Sequence, residues 1–510
     1  MRAATGLGGL AIVAAHAVGF AWLVHHCEGT ELAVDVRSPL TSPVRAIAGD
    51  VPAGLAPRVV VDDADGAPPG PGLHRRQWTV SYRGGFARSV GAAQLVGPFQ
   101  DPARPACSAR VIVGQKLLGE IGTAIRGQID TELRGESIFP IGDYRRVISF
   151  ALRWATLAAH PEDRAMIGEA PFGYVKVVAT IVFDRAEVPV AIALIPERGG
   201  AALTFRVAAR AELAFDNPVV QWISNRLRGD KLATRLAQRQ IDATLVTTLA
   251  PPPAFALPDG QLLRFTYCAD PPEIVEGAYG ALPFAVAIGR VDRDPSVLPP
   301  RFGGGPRRAP PPGTSLALDL DLDALNALLY ELWRGGFLDR RLGDAGLDRR
   351  FNSDPTVQQF LSIRISPVRL ALPPVIAAAR AGLRLSADTR VAIGDGVAVT
   401  TGRVWGGLDF AFAHGSLGVD LGALELSCEH TPTLLVPCFA DLVGAIRGRG
   451  AEVHGALTTA FVKILSDIFV DRRLGFAGMP GELVIRGALP SVTLAPANAT
   501  LHLDLDAAVK

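Results

Sequence analysis

The sequence is short of several residue types, and each shortage closes off a class of function. Only five of its 51 basic residues are Lys (Lys116, Lys176, Lys231, Lys463 and Lys510), a lopsidedness that reads, with the abundant Ala and Gly, as genomic bias rather than mechanism. No G-x-x-x-x-G-K-[ST] loop is present to cradle phosphates, and neither a G-x-S-x-G nucleophile elbow nor an H-E-x-x-H zinc motif occurs. The nine His are scattered and none pair at helical spacing. His414 and His454 therefore read as structural or surface histidines rather than bases. Charged residues make up 20% and the net charge is +1, so no global field invites nucleic acid. Beyond the N-terminus no uninterrupted apolar run reaches about 18 residues, which excludes a polytopic membrane protein.

What is present is apolar. Hydrophobic residues are 49% of 510, and mean hydropathy is +0.26. At roughly 150 residues per domain the chain holds two to four domains, with a large core to bury.

The one long apolar run is Leu7 to Val24, behind Arg2 and interrupted only by His16. It lacks an A-x-A cleavage site, and Cys27 follows Val24, His25 and His26 rather than small residues. An uncleaved signal anchor is favoured over a cleaved signal peptide, and either one implies export. The expected location is periplasmic or extracytoplasmic, tied to the membrane by this N-terminal segment. With Cys27 at the anchor, Cys107, Cys268, Cys428 and Cys438 form an even set in an oxidising compartment. Four cysteines allow three pairings. Cys428 and Cys438, ten positions apart around a turn, suggest a local bridge, which leaves Cys107 with Cys268. A metal site from Cys428, His430 and Cys438 is the rival, but it lacks C-x-x-C spacing, so no metal ligand set is assigned.

Pro/Gly-rich stretches divide the chain into 1–30 (anchor or signal peptide), 31–74 (linker), 75–294 (first module), 295–313 (a second, semi-stiff linker) and 314–510 (second module). In the first module Leu118, Ile121, Ile125, Ile129 and Leu133 recur at spacings of three and four and predict a helix over 115–134. Pro218 opens a second predicted helix reaching about Leu249. Between them Tyr174 to Phe183, Val188 to Ile195 and Leu203 to Leu213 read as strands. In the second module Leu316, Leu318, Leu320 and Leu322 alternate with Ala317, Asp319 and Asp321 at strand period two. The period then turns helical through Leu325, Leu328, Leu329, Leu332 and Trp333, with Asp323 as the expected cap and Gly335-Gly336 as the stop. A longer helix is predicted over 451–472, and Leu501, Leu503 and Leu505 close the chain as a half-buried strand. The expected class is α+β, a duplicated unit of antiparallel sheet and long amphipathic helices.

Asp319, Asp321 and Asp323 imitate a calcium loop but fail it, because Ala324 replaces the Gly and Tyr330 the final Glu. They read as a solvated strand face. Asn498-Ala499-Thr500 is a glycosylation sequon, relevant only in a eukaryotic source.

The segment Thr314 to Asp339 resembles the opening of the C-terminal half of the bactericidal/permeability-increasing protein and lipopolysaccharide-binding protein family, through Leu325, Asn326, Leu328, Leu329, Tyr330, Gly336, Phe337 and Leu338. The resemblance places the second half in the tubular lipid-binding superfamily, of which the chain looks like a bacterial-type member. It implies an elongated rod or boomerang of two tandem modules, each a highly twisted antiparallel sheet wrapped on long helices and holding lipid in an apolar tunnel. The expected function is binding and transport of phospholipid or another long-chain lipid, without catalytic residues and with bound lipid in place of any cofactor. Sixteen buried methylenes would give roughly 13 kcal/mol gross at about 0.8 kcal/mol each. The expected lining is Leu325, Leu329, Leu332, Trp333, Phe461, Ile464, Leu465 and Ile468 in the second module and Ile121, Ile125 and Ile129 in the first. The resemblance implies a basic tip on the first module, for which this chain offers Arg145-Arg146, Arg226, Arg228, Lys231, Arg235 and Arg239, while a net charge of only +1 argues against killing by attack on anionic membranes. The alternative is a structural or adaptor protein of the cell envelope whose modules are packed throughout by side chains. No protein partner can be named from the sequence.

Overall fold

The computed structural model of the chain describes most of residues 70–135, 145–235, 262–288, 297–353, 364–422 and 481–510, with a few short strands elsewhere. The expectations for Leu7 to Val24, Cys27, Arg239, Phe461, Ile464, Leu465, Ile468 and Cys438, and with it the Cys428–Cys438 pair, lie outside the described residues. So does the helix predicted over 451–472, except at its last residue, Arg472, which opens a short strand, Arg472–Leu474.

The chain is α+β with antiparallel sheets. Its principal elements are β1 (Ala109–Gly114), α1 (Gln115–Gly135), β2 (Arg145–Ala155), β3 (Tyr174–Phe183), β4 (Ala186–Glu197), β5 (Leu203–Ala211), α2 (Pro218–Arg226), β6 (Leu262–Tyr267), β7 (Tyr279–Ile288), β8 (Leu316–Asp321), α3 (Leu322–Arg334), α4 (Phe337–Asp344), β9 (Gly382–Gly394), β10 (Val399–Ala413), β11 (Leu483–Ala495) and β12 (Asn498–Val509). Strands β2 to β5 pair in sequence order as one sheet, and β9 and β10 are the long strands of another.

The central sheet has nine strands among the described residues, and its principal strands run in the order β6-β7-β1-β8-β12-β11, so strands from before the Pro/Gly stretch at 295–313 sit beside strands from after it. The seam is β1 against β8, where Val113, Val111 and Ala109 lie opposite Leu316, Leu318 and Leu320. Period-two alternation gives this sheet two unlike faces. On one, Tyr267, Phe284, Ala109, Leu320, Leu501 and Val492 form a single row, one residue per strand. That row belongs to the main core, which α3 joins through Leu322, Leu325 and Leu332 and the third sheet through Leu383 and Phe410. At the seam Gly114 passes so close to the Thr314 carbonyl that any Cβ there would collide with backbone, so only glycine lets β1 turn into α1.

Helix α1 starts at the residue its periodicity predicts. It lies on the β2–β5 sheet, where Leu118 joins Leu152, Trp154, Val175 and Val177. Cys107 is bonded to Cys268, with Cα atoms 5.7 Å apart, closing a loop of 161 positions just ahead of β1 and just after β6.

Several local expectations are corrected. The helix predicted from Pro218 to Leu249 is broken: Asn217 caps its start by accepting from the Val219 N–H (2.9 Å), α2 ends at Arg226, Arg228 stands in the left-handed region at φ 55, helical structure resumes at 229–231 and again at 234, 235 and 238, and Thr248–Leu249 is strand. The cap of α3 is Asp321, which accepts from the Ala324 N–H at 3.0 Å, not Asp323. Asp319, Asp321 and Asp323 are not solvated; they are 5, 8 and 2% exposed.

Because β1 and β8 hold one core in common, Leu318→Ala should cost about 2–5 kcal/mol and lower a single cooperative thermal transition. A melt in which the two halves unfold separately and only the later one moves would contradict the shared sheet.

Candidate functional site

The second face of the central sheet explains the buried aspartates. Arg110, Asp319, His502 and Ser491 stand opposite one another on β1, β8, β12 and β11. The Arg110 guanidinium donates to Asp319 Oδ2 through Nε (2.9 Å) and Nη2 (2.5 Å), and its Nη1 reaches Glu273 Oε2 at 2.8 Å. His502 Nδ1 meets the other Asp319 oxygen at 2.5 Å, while the Tyr279 hydroxyl donates to Glu273 (2.9 Å). Removing one member would strand a buried charge, which is the costly way to break such a network.

The cover over this row is the Pro/Gly stretch itself. The Phe302 and Gly303 N–H groups donate to Asp323 at 2.6 and 3.2 Å, and Asn498 Nδ2 donates to the carbonyls of Gly303 and Gly304, each at 2.9 Å. Gly305 abuts Thr500, and the Arg308 carbonyl accepts from Arg110 (2.8 Å). Residues 299–308 are therefore strapped across the polar face by side chains from both halves of the chain. Asn498 is 8% exposed with its amide committed to the strap, so the sequon is closed to modification in the folded chain.

Asp319 and His502 form a carboxylate–imidazole pair of the kind that serves nucleophilic catalysis. The remaining parts are not assembled. His502 Nε2 is buried without a partner, and no hydrogen bond joins it to the Ser491 hydroxyl. A second polar group, His160, Glu162 and Asp163, brings three potential metal ligands within 4.8 Å. Its charge is already answered: Lys176 Nζ sits 2.7 Å from Asp163, whose same oxygen takes the Tyr174 hydroxyl, and both His160 nitrogens face carboxylates.

The residues expected to line a lipid site divide into three sets. Leu325 and Leu332 are buried in the main core at 6 and 1% exposure. Leu329, Trp333, Ile121, Ile125 and Ile129 are half-buried. Leu329 and Ile121 pack on the main core, Ile121 and Ile125 on the cluster under α1, and the Trp333 indole donates to the Leu370 carbonyl at 3.4 Å. The four from 461–468 lie outside the described residues. Half-buried Leu328, Leu385, Leu408 and Phe412 extend the same apolar rim. A cleft of about 350 Å³ opens elsewhere, between Gly335, Gly336, Asp339, Arg340 and 367–369, and includes none of the expected lining.

Sequence reasoning missed the ionic row because alternation tells which residues share a face, not what covers it. The usable signal was His502 falling in register with Asp319 on the paired strands.

No protein-family model matches the chain, and no curated protein matches it. Among solved structures it aligns with lipopolysaccharide binding protein over 80% of this chain and 99% of that one, at 9% identity and a TM-score of 0.33. Likeness at this level fixes neither strand register nor the contents of a cavity.

Burial pushes the Asp321 carboxyl up to about 7, opposed by N–H donors and reinforced by neighbouring Asp323. A carboxyl whose pKa is higher folded than unfolded loses stabilising effect as pH rises from its ordinary 3.8 to that value. Asp321→Asn keeps an acceptor for the cap and removes the proton, so its stability relative to wild type should climb across that window by up to about 1.4 kcal/mol per pH unit. Thermal melts at a series of pH values would show it; a constant offset would contradict the assignment.

Proposed function

We propose that this chain is an exported, non-enzymatic lipid-binding protein, with two tandem modules that hold acyl chains and carry phospholipid or a similar long-chain lipid across the periplasm or envelope. The observation that carries this reading is the apolar face of the central sheet. It runs unbroken through six strands from both halves, and its margin at α1, α3 and β9–β10 is made of large aliphatic and aromatic side chains that stay half-buried. Single half-buried apolar residues are ordinary, but these gather around one core rather than lying scattered. An acyl chain laid along this margin would cover them, at about 0.8 kcal/mol per methylene. The N-terminal apolar segment would keep the protein at a membrane that supplies or receives the lipid.

The non-enzymatic part is supported by the Asp319–His502 pair, which lies under the strap with its free nitrogen shut from solvent. The burial of Leu325 and Leu332 favours the second reading, an envelope adaptor packed throughout. The lipid site on this proposal is therefore bounded by Leu329, Trp333, Ile121, Ile125 and Ile129 rather than by the whole predicted lining.

Native mass spectrometry of gently purified protein separates the two. Carriage predicts added masses of lipid that Leu329→Trp removes with little loss of stability. A packed adaptor predicts no added mass and a destabilisation of about 1–3 kcal/mol from the same substitution.

A further inference from the structure

Helix α2 is built inside out. Its half-buried positions are the polar Gln221 and Ser224, and Gln221 pins it to the protein by accepting from the Phe215 N–H at 2.7 Å. Its outward positions are Val219, Trp222, Ile223 and, one residue on, Leu227, which are 62, 61, 45 and 76% exposed. With Val220 they are half of the exposed large hydrophobic residues among those described. A contiguous patch of this kind marks an interaction surface rather than scattered surface leucines. The residues around it decide the partner. Arg226 lies over the Trp222 ring at 5.7 Å, and Arg226, Arg228, Lys231 and Arg235 are all exposed, against the one described carboxylate of that stretch, Asp230. The whole chain is nearly neutral, so this cationic charge is local.

The geometry points to α2 as an interfacial helix that docks on an anionic lipid bilayer, with Trp222, Ile223 and Leu227 in the boundary between headgroups and acyl chains and the basic residues on lipid phosphates. Amphipathic helices bind membranes through this combination of aliphatic and aromatic insertion with Arg and Lys contacts to anionic headgroups. Trp and Arg suit the interface because each joins an apolar body to a polar tip. An apolar protein groove would satisfy the face but leave the cations that follow it in the chain unanswered. The inference rests on this exposed face alone and stands whether or not the central sheet carries lipid.

Hydrogen exchange of the full-length protein, read in peptides covering 217–231, isolates this helix from any contact made by the N-terminal segment. Phosphatidylcholine vesicles containing phosphatidylglycerol should slow exchange in this segment several-fold, and pure phosphatidylcholine vesicles much less. Trp222→Ser combined with Leu227→Ser should abolish the protection while leaving the melting temperature unchanged. Three results would overturn the inference: no slowing with anionic vesicles, equal slowing with neutral ones, or protection that appears without vesicles and grows with protein concentration, which would make a second copy the partner. Bound lipid in the same preparations, measured by mass spectrometry, reports on carriage separately, so the failure of either idea is distinguishable from failure of the other.

Discussion

The antiparallel pairing of Ala109–Gly114 with Leu316–Asp321 holds the rest of the structure in place. It sets Leu316, Leu318 and Leu320 against Val113, Val111 and Ala109 on one face and Asp319 against Arg110 on the other. A slip of one residue would exchange the faces, burying the aspartates among leucines and lifting the leucines to the strap. The register is thus specified twice, by apolar burial below and by ion pairing above. Buried ionic groups seldom add net stability, but a misregistered partner would leave them unpaired at a cost of several kcal/mol. The Arg110–Asp319–His502 row is best understood as a device for register.

The strap at 299–308 follows from the same constraint. A charged row facing water would need no cover, but its cost falls when the remaining donors and acceptors are satisfied. Pro and Gly suit the task, since a chain with few side chains can lie close to a sheet while offering its own N–H and carbonyl groups to Asp323, Asn498 and Arg110. The stretch that composition marks as a divider between halves is here a tie between them. Cys107–Cys268 reinforces the same region by closing a long loop, which penalises the unfolded chain most.

Much of this was legible in the sequence. The start of α1, the strands at 174–183 and 316–321 and the α+β class follow from period alone, because amphipathic elements must match their own geometry. The Cys107–Cys268 pair is reached by elimination, from a local Cys428–Cys438 bridge as the other pair. The burial of Asp319, Asp321 and Asp323 was not legible, since it depends on a segment from elsewhere in the chain settling on that face. Nor was the orientation of α2: its apolar residues recur at helical spacing as a core helix's would, and only the tertiary structure shows Gln221 and Ser224 turned inward instead. The predicted lining was a list of apolar helix positions, and periodicity could not separate Leu325 and Leu332, which fill the core, from Leu329 and Ile121, which edge it.

The central claim is that acyl chains rest against the margin of a core common to both halves. Photo-crosslinking tests it most directly, using a phospholipid with a diazirine near the end of one acyl chain and mapping the adducts by peptide mass spectrometry. The account predicts adducts on α3 at Leu329 or Trp333 and on α1 at Ile121 or Ile125. Adducts confined to the exposed residues of α2 would contradict it, showing a protein that touches lipid only at a membrane surface and holds none within.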